Sequence, residues 1–541
     1  MNTMTSTKKS ATVSRPIKLA IALLLLLLVI VPILRMFSAM TSEDFAKVLR
    51  HANFRPALLN SVLLSLLATA IVILLAYLLA FCMVRTHVPL KKLFHVLLIL
   101  PMLIPSISHG MGLIILFGGN GILKNLLGLE STIYGPVGIV TGSVLYAFPV
   151  AYIMLSDVLK YEDLSVYEAA NVLGIGRGRQ FLRLTLPYLK KPLIAASFST
   201  FSMIITDYGV PKMIGGQTKT LSLLMYEEVI GQLDFGKGSV YGLFLLIPAV
   251  LAFFSDLLNK ERAESSFVHK TLQKRDGRLR DALALVACTA VSVFASLPLL
   301  AFLILAFAKS YPRDMTFTFA NVAETFGGNG SQYLVNSLLI ALLTAAIGTL
   351  LSYGTAYLTA RMKSTTSRLI HLLVLTFMAI PGIVLGLSYV ISFTSTALYG
   401  TLAILIMVNV AHFISSPYLM MYNTFGKMNE NLEAVGSTLG VGRLRMLKDV
   451  FIPQSVGTIA EMFSYLFVNS MMTISAVAFL ANTKTKPIAL MLNQYEDNMN
   501  YECIAVVSLI ILLTNVLVKL AVGGVKALYA RKHRHAALNN V

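Results

Sequence analysis

The sequence predicts an all-α, polytopic membrane protein made of two homologous halves, and three observations support this prediction. The chain of 541 residues is 56% hydrophobic and only 13% charged, whereas soluble proteins carry about 25% charged residues. Apolar runs long enough to cross a bilayer, about 20 residues each, recur from one end of the chain to the other. The third observation is an internal repeat that covers most of the sequence.

The apolar runs predict about twelve transmembrane helices, six in each half. The run at 192–208 is the shortest and has the least distinct ends. The runs lie near residues 19–34, 58–83, 93–117, 136–158, 192–208, 239–258, 282–307, 335–358, 369–393, 402–425, 456–477 and 503–525.

The net charge of +19 follows from the distribution of basic residues across the membrane. With the N-terminus inside, most of the 44 Lys and Arg residues fall in predicted cytoplasmic segments, as the positive-inside rule requires. Anionic lipid is a sufficient partner for such segments. No basic stretch is interleaved with aromatic residues in the manner of a single-strand binder, so the sequence argues against a nucleic-acid partner.

Two features near the apolar runs have simple interpretations. The first run follows a basic leader, as in a signal peptide, but Phe37–Met40 is a poor cleavage site, and we expect the first helix to be retained. The three cysteines lie in or beside apolar runs and are far apart in sequence: Cys82, Cys288 and Cys503. Their spacing in the sequence fits neither a disulfide framework nor a metal site, and we expect them to be small buried side chains.

The internal repeat is clearest in the second span of each half. Asn60–Arg85 and Asn336–Arg361 are identical at 12 of 26 positions at a constant offset of 276 residues. Further along the chain an offset of 266 takes over, and it aligns Tyr152 with Tyr418, Gly174 with Gly440 and Pro187 with Pro453. We therefore predict a first half at 1–259, a basic cytoplasmic linker at 260–281 and a second half at 282–541. Six spans per half make the repeats parallel, related by an axis along the membrane normal.

One cytoplasmic loop in each half carries the functional signal. Both loops contain a glycine and a proline thirteen residues apart, with Gly-Arg-x-Arg at matching places. In the first loop, Ser165 and Glu168 have the spacing of a capping box that starts a short helix. Gly174 is suited to end that helix in a left-handed conformation, and Pro187 is suited to open the next helical segment.

The first loop resembles the EAA loop of permeases in type I ATP-binding-cassette importers. The resemblance rests on Glu168-Ala169-Ala170, three further residues, Gly174 and a hydrophobic-x-Pro ending. In that family the loop is a coupling helix that sits in a groove of the cytoplasmic ATPase. The second loop departs from the pattern because Glu433 falls one place early. The residues that the resemblance assigns to ATPase coupling are Glu168, Ala169, Ala170, Gly174, Pro187, Glu433, Ala434, Gly440 and Pro453.

The same resemblance implies the MetI-like fold, a bacterial inner-membrane location and two kinds of partner. The partners are cytoplasmic ATP-binding subunits, expected in two copies, and an extracytoplasmic solute-binding protein.

The segment 231–239 nearly matches a phosphate-binding loop, but Gly238 stands where Ser or Thr should bind magnesium. Without a full nucleotide motif, a catalytic constellation or a metal-ligand cluster, the chain is expected to be a transport subunit without cofactor or metal, not an enzyme.

Ionisable residues within spans are functional candidates because a charge in the bilayer is costly. Asp207, His109 and His412 are the weak candidates for the substrate pathway, and Glu461 is a fourth ionisable residue of this kind. Asp207 could meet a cationic substrate group; the alternative is that it lies at the outer interface or pairs with Lys212. The two histidines could equally be hydrogen-bonded packing residues. Proline residues in the third span of each half, namely Pro101, Pro105 and Pro381, predict bent helices around the pathway.

The fused two-half arrangement resembles permeases of the ferric-iron importer group and its relatives for phosphonates, thiosulfate and polyamines. The segment 206–216 looks most like permeases for 2-aminoethylphosphonate, so the resemblance implies that substrate, with ferric iron, thiosulfate or a polyamine as alternatives. A contrasting hypothesis is an ion-coupled secondary transporter. That hypothesis predicts intramembrane acidic or histidine relays, of which the sequence offers little, and needs no paired cytoplasmic helices.

Overall fold

The structure is a computed structural model that describes residues 15–128, 130, 133–162, 164–259 and 277–538. These residues are almost entirely helical, which confirms the predicted all-α class. One antiparallel pair of short strands, Ala308–Ser310 and Asp314–Phe317, is the only sheet in the described ranges. The helical segments, including π and 3₁₀ stretches, are Arg15–Ser38, Ser42–Arg50, Phe54–Arg85, Lys91–Ile99, Leu100–Leu103, Ser106–Phe117, Ile122–Leu127, Pro136–Lys160, Leu164–Val172, Arg177–Gln180, Phe181–Thr185, Leu186–Ile205, Gly209–Ile214, Leu221–Tyr226, Glu227–Gly231, Phe235–Asn259, Arg278–Leu305, Ala320–Gly327, Gly330–Ala360, Thr365–Thr376, Phe377–Ala379, Gly382–Phe393, Leu402–Phe413, Ser415–Lys427, Leu432–Thr438, Arg443–Met446, Leu447–Phe451, Ile452–Met472, Ile488–Leu490, Met491–Asp497 and Tyr501–Leu538.

Fewer of these helices than predicted are both long and apolar enough to cross a membrane. Within the described residues there are seven, or up to nine if each of two bent helix pairs counts as one span. The predicted runs at 192–208, 239–258 and 456–477 overlap Leu186–Ile205, Phe235–Asn259 and Ile452–Met472, none of which is among the seven or the nine. The first and last of these helices carry several polar residues between their apolar ones, so a run of apolar residues overstated their hydrophobicity.

The predicted bend at Pro381 is confirmed, and the helix of the first half is interrupted at the equivalent proline. In the second half, Thr365–Ala379 and Gly382–Phe393 meet at an angle of 105° across Pro381. In the first half the corresponding break falls at Pro105, between Leu100–Leu103 and Ser106–Phe117, and Pro101 lies within that 3₁₀ turn. Proline cannot donate the backbone hydrogen bond that would continue the preceding helix, and it disfavours helical geometry at the residue before it.

The described chain forms two compact units that do not coincide with the two sequence halves. The first unit contains Ser42–Gly327 and Met491–Leu509, and the second contains Met1–Thr41, Gly328–Leu490 and Ile510–Val541. Each unit therefore combines the core helices of one half with the opening helix of the other. The predicted linker at 260–281 lies outside the described residues except for its last five positions.

The exchanged opening helices are fastened at equivalent places. In the second unit, the buried Lys18 donates from Nζ to the carbonyl oxygen of Met362 at 2.6 Å and to the Ser364 hydroxyl at 3.0 Å. In the first unit, the Asp281 carboxylate accepts from the backbone N–H of His87 at 3.2 Å. Both contacts hold the turn that follows the second span of a half, and the opening helices are thus integral parts of the units that they join.

The Asn-Ser pair that begins each aligned second span has a defined role within its unit. The asparagine side chain donates to carbonyl oxygens of a distant loop, and the serine hydroxyl accepts from a backbone N–H of the segment that follows. The bonds are Asn60 to Lys219 at 3.0 Å, Leu221 to Ser61 at 2.8 Å, Asn336 to Lys484 and Lys486 at 2.9 and 3.2 Å, and Ile488 to Ser337 at 2.7 Å. Buried polar backbone groups need such partners.

A second repeated contact explains one of the residue matches between the halves. The His95 Nδ1 atom lies 3.0 Å from the Tyr152 hydroxyl, and the His371 Nδ1 atom lies 2.7 Å from the Tyr418 hydroxyl.

All three cysteines are buried free thiols, as predicted from the sequence.

Candidate coupling loops and buried pathway residues

The two predicted loop helices are present. The first loop helix is Leu164–Val172, and the second loop helix is Leu432–Thr438. The first loop helix begins at Leu164, one residue before the predicted N-cap Ser165. Helix boundaries are defined only to within one or two residues, so the helix start agrees with the prediction, and the capping role of Ser165 stays a prediction.

The ends of both loop helices confirm the prediction for the two glycines. Gly174 and Gly440 each have a φ of 70°, in the left-handed region that glycine enters without steric cost. The N–H of Gly174 donates to Asn171 and that of Ile175 to Ala170; the equivalent bonds in the second loop run from Gly440 to Ser437 and from Val441 to Gly436. This paired pattern is a Schellman motif, and it occurs in both halves.

The segment after each glycine is helical and contains a π-helical stretch before the proline. Phe181–Thr185 precedes Leu186–Ile205 in the first half, and Leu447–Phe451 precedes Ile452–Met472 in the second. Pro187 and Pro453 are the second residues of the helices that follow. A proline has no N–H for the carbonyl four residues earlier, and π-type stretches accommodate such a missing bond. Both prolines therefore mark the predicted start of the next α-helical segment.

Each loop exposes apolar side chains at matching positions. Leu173 is 75% exposed and its counterpart Leu439 is 73% exposed. Glu168 and Ala169 of the first loop are exposed, as are Ala434 and Val435 of the second, whereas Ala170 and Gly436 are buried against their own loops. Exposed apolar residues on a rigid short helix are typical of a surface that binds another protein.

The structure assigns Glu433 a contact within the chain. By the offset of 266 it aligns with Tyr167 and not with Glu168. Its carboxylate accepts from Nε and Nη2 of Arg361 at 2.7 and 2.5 Å, and this hydrogen bond raises the pKa of Arg361 although partial burial lowers it. Glu433 and Arg361 form a bidentate pair, and Glu168 has no glutamate counterpart in the second loop.

Asp207, the acidic pathway candidate, is half-buried and hydrogen-bonded within its own unit. Its carboxylate accepts hydrogen bonds from the Ser106 hydroxyl and from the N–H of Val210 at 2.9 Å, and so caps the helix Gly209–Ile214. Lys212 instead donates to Glu496 at 2.5 Å and to Asp497 at 3.0 Å. The alternative that Asp207 pairs with Lys212 is therefore wrong.

A small polar cavity lies beside Asp207, with a volume of about 10 Å³. That volume holds about one water molecule, which is too small for 2-aminoethylphosphonate, thiosulfate or a polyamine. Its polar lining consists of Asn60, Ser61, Ser65, Ser143, Asp207, Thr220 and Ser222.

The two histidine candidates belong to different units. His109 Nε2 lies 3.0 Å from the Pro101 carbonyl oxygen, which fits the alternative of a hydrogen-bonded packing residue. The Nδ1 atom of His412 is buried and has no hydrogen-bond partner in the described part of the chain. Glu461, the fourth ionisable residue, pairs with Lys526.

Neither a metal centre nor a nucleotide site emerges from the geometry. Among the described residues, no group of three or more His, Cys, Asp or Glu side chains could hold a metal ion. The near-match at 231–239 crosses the start of the helix Phe235–Asn259, and its Lys237 pairs with Glu228 at 3.3 Å and Asp234 at 3.2 Å.

Comparison with known proteins decides the family. Residues 72–260 and 348–528, together more than half of the chain, each match the family described as the binding-protein-dependent transport system inner membrane component. The chain belongs to this family. Both loop helices and the glycines that end them lie within the two matched segments.

Full-length relatives of the permease are named as ferric transport permeases. The chain is 24% identical over 524 residues to the ferric transport system permease protein FbpB of Actinobacillus pleuropneumoniae, covering 92% of this chain and 76% of the relative. It is 23% identical over 494 residues to a putative FbpB of Haemophilus influenzae, covering 86% and 78% respectively.

A third relative corresponds to one half of the chain. The probable sulfate transport permease cysT of Marchantia polymorpha is 24% identical over 240 residues, covering 42% of this chain and 82% of the relative. The permease subunit of an ATP-binding-cassette importer is thus present here as two fused copies in the inner membrane, and it is a transport subunit, not an enzyme. The alternative of an ion-coupled secondary transporter does not apply.

Two groups of residues were missed by the sequence reasoning. Arg85 and Arg361 end the aligned second spans and contact the loop segments, although they appeared only as the last identity of the repeat. The His-Tyr pairs were likewise visible only as a match of Tyr152 with Tyr418. In both cases the sequence does contain a signal that could have found these residues. The same polar residue occurs at the aligned position of both halves, next to an apolar span.

Proposed function

We propose that this permease couples to two cytoplasmic ATP-binding subunits through its two loop helices, and that its cargo is ferric iron delivered by an extracytoplasmic binding protein. Closure of the ATPase dimer would push on both loop helices and open the pathway outward; hydrolysis and release would return it to the inward state. The observation that carries the coupling proposal is the repetition of one surface in both halves, a short helix followed by an exposed leucine and then by a left-handed glycine.

The rigidity of the loop helices supports this role. A lever transmits movement only if it does not deform, and the Schellman bonds fix the helix end in each half. Leu173 and Leu439 immediately precede these glycines and are about three-quarters exposed. We infer that the two leucines enter apolar pockets of the ATPase subunits, and that Glu168, Ala169 and Ala434 lie at the same interfaces.

The cargo proposal rests on the names of the full-length relatives. Two relatives that align with most of this chain are named for ferric iron transport, whereas the resemblance to 2-aminoethylphosphonate permeases covers only about fifty residues and rests on 206–216, 229–235 and 246–253. In the first of these segments Lys212, a cation that could attract a phosphonate, is already engaged by Glu496 and Asp497. Phosphonate is therefore the second candidate, and thiosulfate and polyamines follow.

The coupling proposal is tested by purification from the native membrane and an assay of ATP hydrolysis. We expect two nucleotide-binding subunits to co-purify, and Leu173→Ser and Leu439→Ser to weaken their retention by about tenfold, since each removes a buried leucine from the interface. Leu126→Ser is the matched control, because Leu126 is also 75% exposed but lies on the short helix Ile122–Leu127, in a predicted extracytoplasmic segment. A permease that transports without any ATPase, or that loses its ATPase equally with the control, would contradict the proposal.

The cargo is tested with the binding protein that stimulates ATP hydrolysis of the purified complex. Radiolabelled ferric iron and 2-aminoethylphosphonate are compared in proteoliposomes that contain the complex and an ATP-regenerating system. Uptake of iron alone supports the proposal. Uptake of the phosphonate alone would overturn the cargo assignment while leaving the coupling mechanism intact.

A further inference from the structure

The last residue of each aligned second span is an arginine that reaches into the loop segment of its own half. Arg85 ends the helix Phe54–Arg85, and Arg361 directly follows Gly330–Ala360. Their side chains are only 13% and 5% exposed. A guanidinium carries five N–H donors in a fixed planar arrangement, so such a buried group can hold several chain segments together.

In the second half every donor of Arg361 has a partner. Nε and Nη2 bind the two carboxylate oxygens of Glu433 on the second loop helix. Nη1 donates to the carbonyl oxygens of Phe425 at 3.3 Å and Met428 at 3.1 Å, and Nη2 also donates to that of Asn429 at 2.7 Å. One side chain thereby joins the end of a span, the end of the helix Ser415–Lys427 and the second loop helix.

In the first half the carboxylate comes from a different position. Arg85 pairs with Glu162, which precedes the first loop helix and is 4% exposed. The Tyr167 hydroxyl donates to the same carboxylate and lies 2.7 Å from the Thr185 hydroxyl, while the Tyr167 ring lies 5.6 Å from the Arg85 guanidinium. Tyr167 thus links the first loop helix to the Arg85–Glu162 pair.

The two arrangements use complementary choices at the same two aligned positions. The offset of 266 aligns Glu162 with Met428 and Tyr167 with Glu433. One half places a carboxylate at the earlier position and a phenol on the loop helix; the other places an apolar side chain at the earlier position and the carboxylate on the loop helix. Both choices deliver one carboxylate to the equivalent arginine.

We propose that Arg85–Glu162 and Arg361–Glu433 are positioning pairs that make each loop helix move as one body with the second span of its half. The inference deepens the coupling role proposed above and rests on it. ATPase movement at the loop helix then reaches the span through the guanidinium. In the second half the bidentate Arg361–Glu433 pair makes this link directly. In the first half the Tyr167 hydroxyl joins the loop helix to the carboxylate that binds Arg85. Neither pair contacts the cargo or the ATP-binding subunits in this account.

The test moves the first-half arrangement into the second half. Glu433→Tyr removes the carboxylate from Arg361, and Met428→Glu combined with Glu433→Tyr restores one at the position that Glu162 occupies in the first half. Spin labels on cysteines introduced at the exposed Leu439 and Leu350 report the distance between the second loop helix and its span in the purified permease, without any partner. The native cysteines are buried and free.

We expect a single narrow distance distribution in the otherwise unchanged chain, a clearly broader one in Glu433→Tyr, and a narrow one again in the double variant. In the complex with its ATPase, the ratio of stimulated to unstimulated ATP hydrolysis falls in Glu433→Tyr and recovers in the double variant. If Glu433→Tyr does not accumulate in the membrane, Glu433→Gln replaces it, and Met428→Glu with Glu433→Gln replaces the double variant.

The outcomes separate the two proposals. Unchanged distance distributions in Glu433→Tyr, or a double variant as broad as the single one, would overturn the positioning pairs. Distances that respond as expected in a permease that binds and stimulates no ATPase would leave the positioning pairs standing and overturn the proposed coupling role instead.

Discussion

The two loop segments share their backbone and differ in their side chains. Both loop helices end on a glycine with a φ of 70° and the same pair of hydrogen bonds, yet the charged pair behind each helix is built from different positions. Glycine is the residue that adopts this left-handed conformation without strain. The residue that ends the loop helix is therefore the same in both halves. A carboxylate, by contrast, can reach a long arginine side chain from more than one backbone position.

The largest expected difference between the halves concerns the two arginines. Arg361→Met removes five hydrogen bonds and leaves Glu433 and three carbonyl oxygens without their donor, and breaking such a buried pair costs about 3–5 kcal/mol. Arg85→Met costs less, because the Glu162 carboxylate keeps the Tyr167 hydroxyl and the Arg85 Nε atom already lacks a partner. Thermal unfolding of the purified permease ranks the two variants.

Lys363→Met is the matched control for the arginine variants. Lys363 pairs with Glu430, but both side chains are about 80% exposed, and exposed pairs contribute about 0–1 kcal/mol. An Arg85→Met variant that is less stable than Arg361→Met would show that the saturated pair is not the stronger one.

The shared glycines should respond alike. Gly174→Ala and Gly440→Ala each force a side chain into the left-handed region, at a cost of about 1–2 kcal/mol. Gly176→Ala and Gly442→Ala are close controls, since a Cβ at any of these four positions meets no atom within 4 Å and the φ angles of Gly176 and Gly442 are −63° and −65°. Reduced ATPase retention in the first pair but not in the second is expected; equal effects in both pairs would mean that backbone strain is not the cause.

A smaller difference is expected between the asparagines that begin the aligned second spans. Asn336 donates to two carbonyl oxygens and Asn60 to one, and each hydrogen bond contributes about 0.5–1.5 kcal/mol. Asn336→Ala should therefore lower the unfolding temperature more than Asn60→Ala. The reverse order would contradict this account of the repeated asparagine.

The smallest expected difference is between the two tyrosines that face histidines. The Tyr418 hydroxyl lies 2.7 Å from His371 and 2.9 Å from Thr359, whereas the Tyr152 hydroxyl has the His95 contact at 3.0 Å. Tyr418→Phe should cost about 1 kcal/mol more than Tyr152→Phe, measured by the same unfolding assay. Equal losses would indicate that the Thr359 contact adds nothing.

Much of the fold and of the loops could be predicted from the sequence because those features depend on local rules. The duplication followed from identities between Asn60–Arg85 and Asn336–Arg361. Gly174 and Gly440 were predicted as helix ends because the left-handed conformation that ends a helix is strained for every residue with a side chain and unstrained for glycine. The helix breaks at Pro105 and Pro381 followed from a missing backbone donor.

The remaining features depend on contacts between distant segments. Glu433 appeared to be a displaced motif residue, because no local pattern reveals that Arg361, 72 residues earlier, takes its carboxylate. The exchange of opening helices between units rests on contacts such as Lys18 to Met362 across 344 residues. Asp207 appeared available to a substrate, but the structure shows that its carboxylate accepts hydrogen bonds from Ser106 and Val210.

Photo-crosslinking from the two loop helices tests the central claim most directly. A photoreactive residue is placed at Leu173, at Leu439 or, as a control, at Leu126, and the product is identified by labelling with a photoreactive ATP analogue. The account predicts that each loop position, and not the control, crosslinks to a nucleotide-binding subunit. An actively transporting permease whose loop positions crosslink to no ATP-binding protein would contradict it.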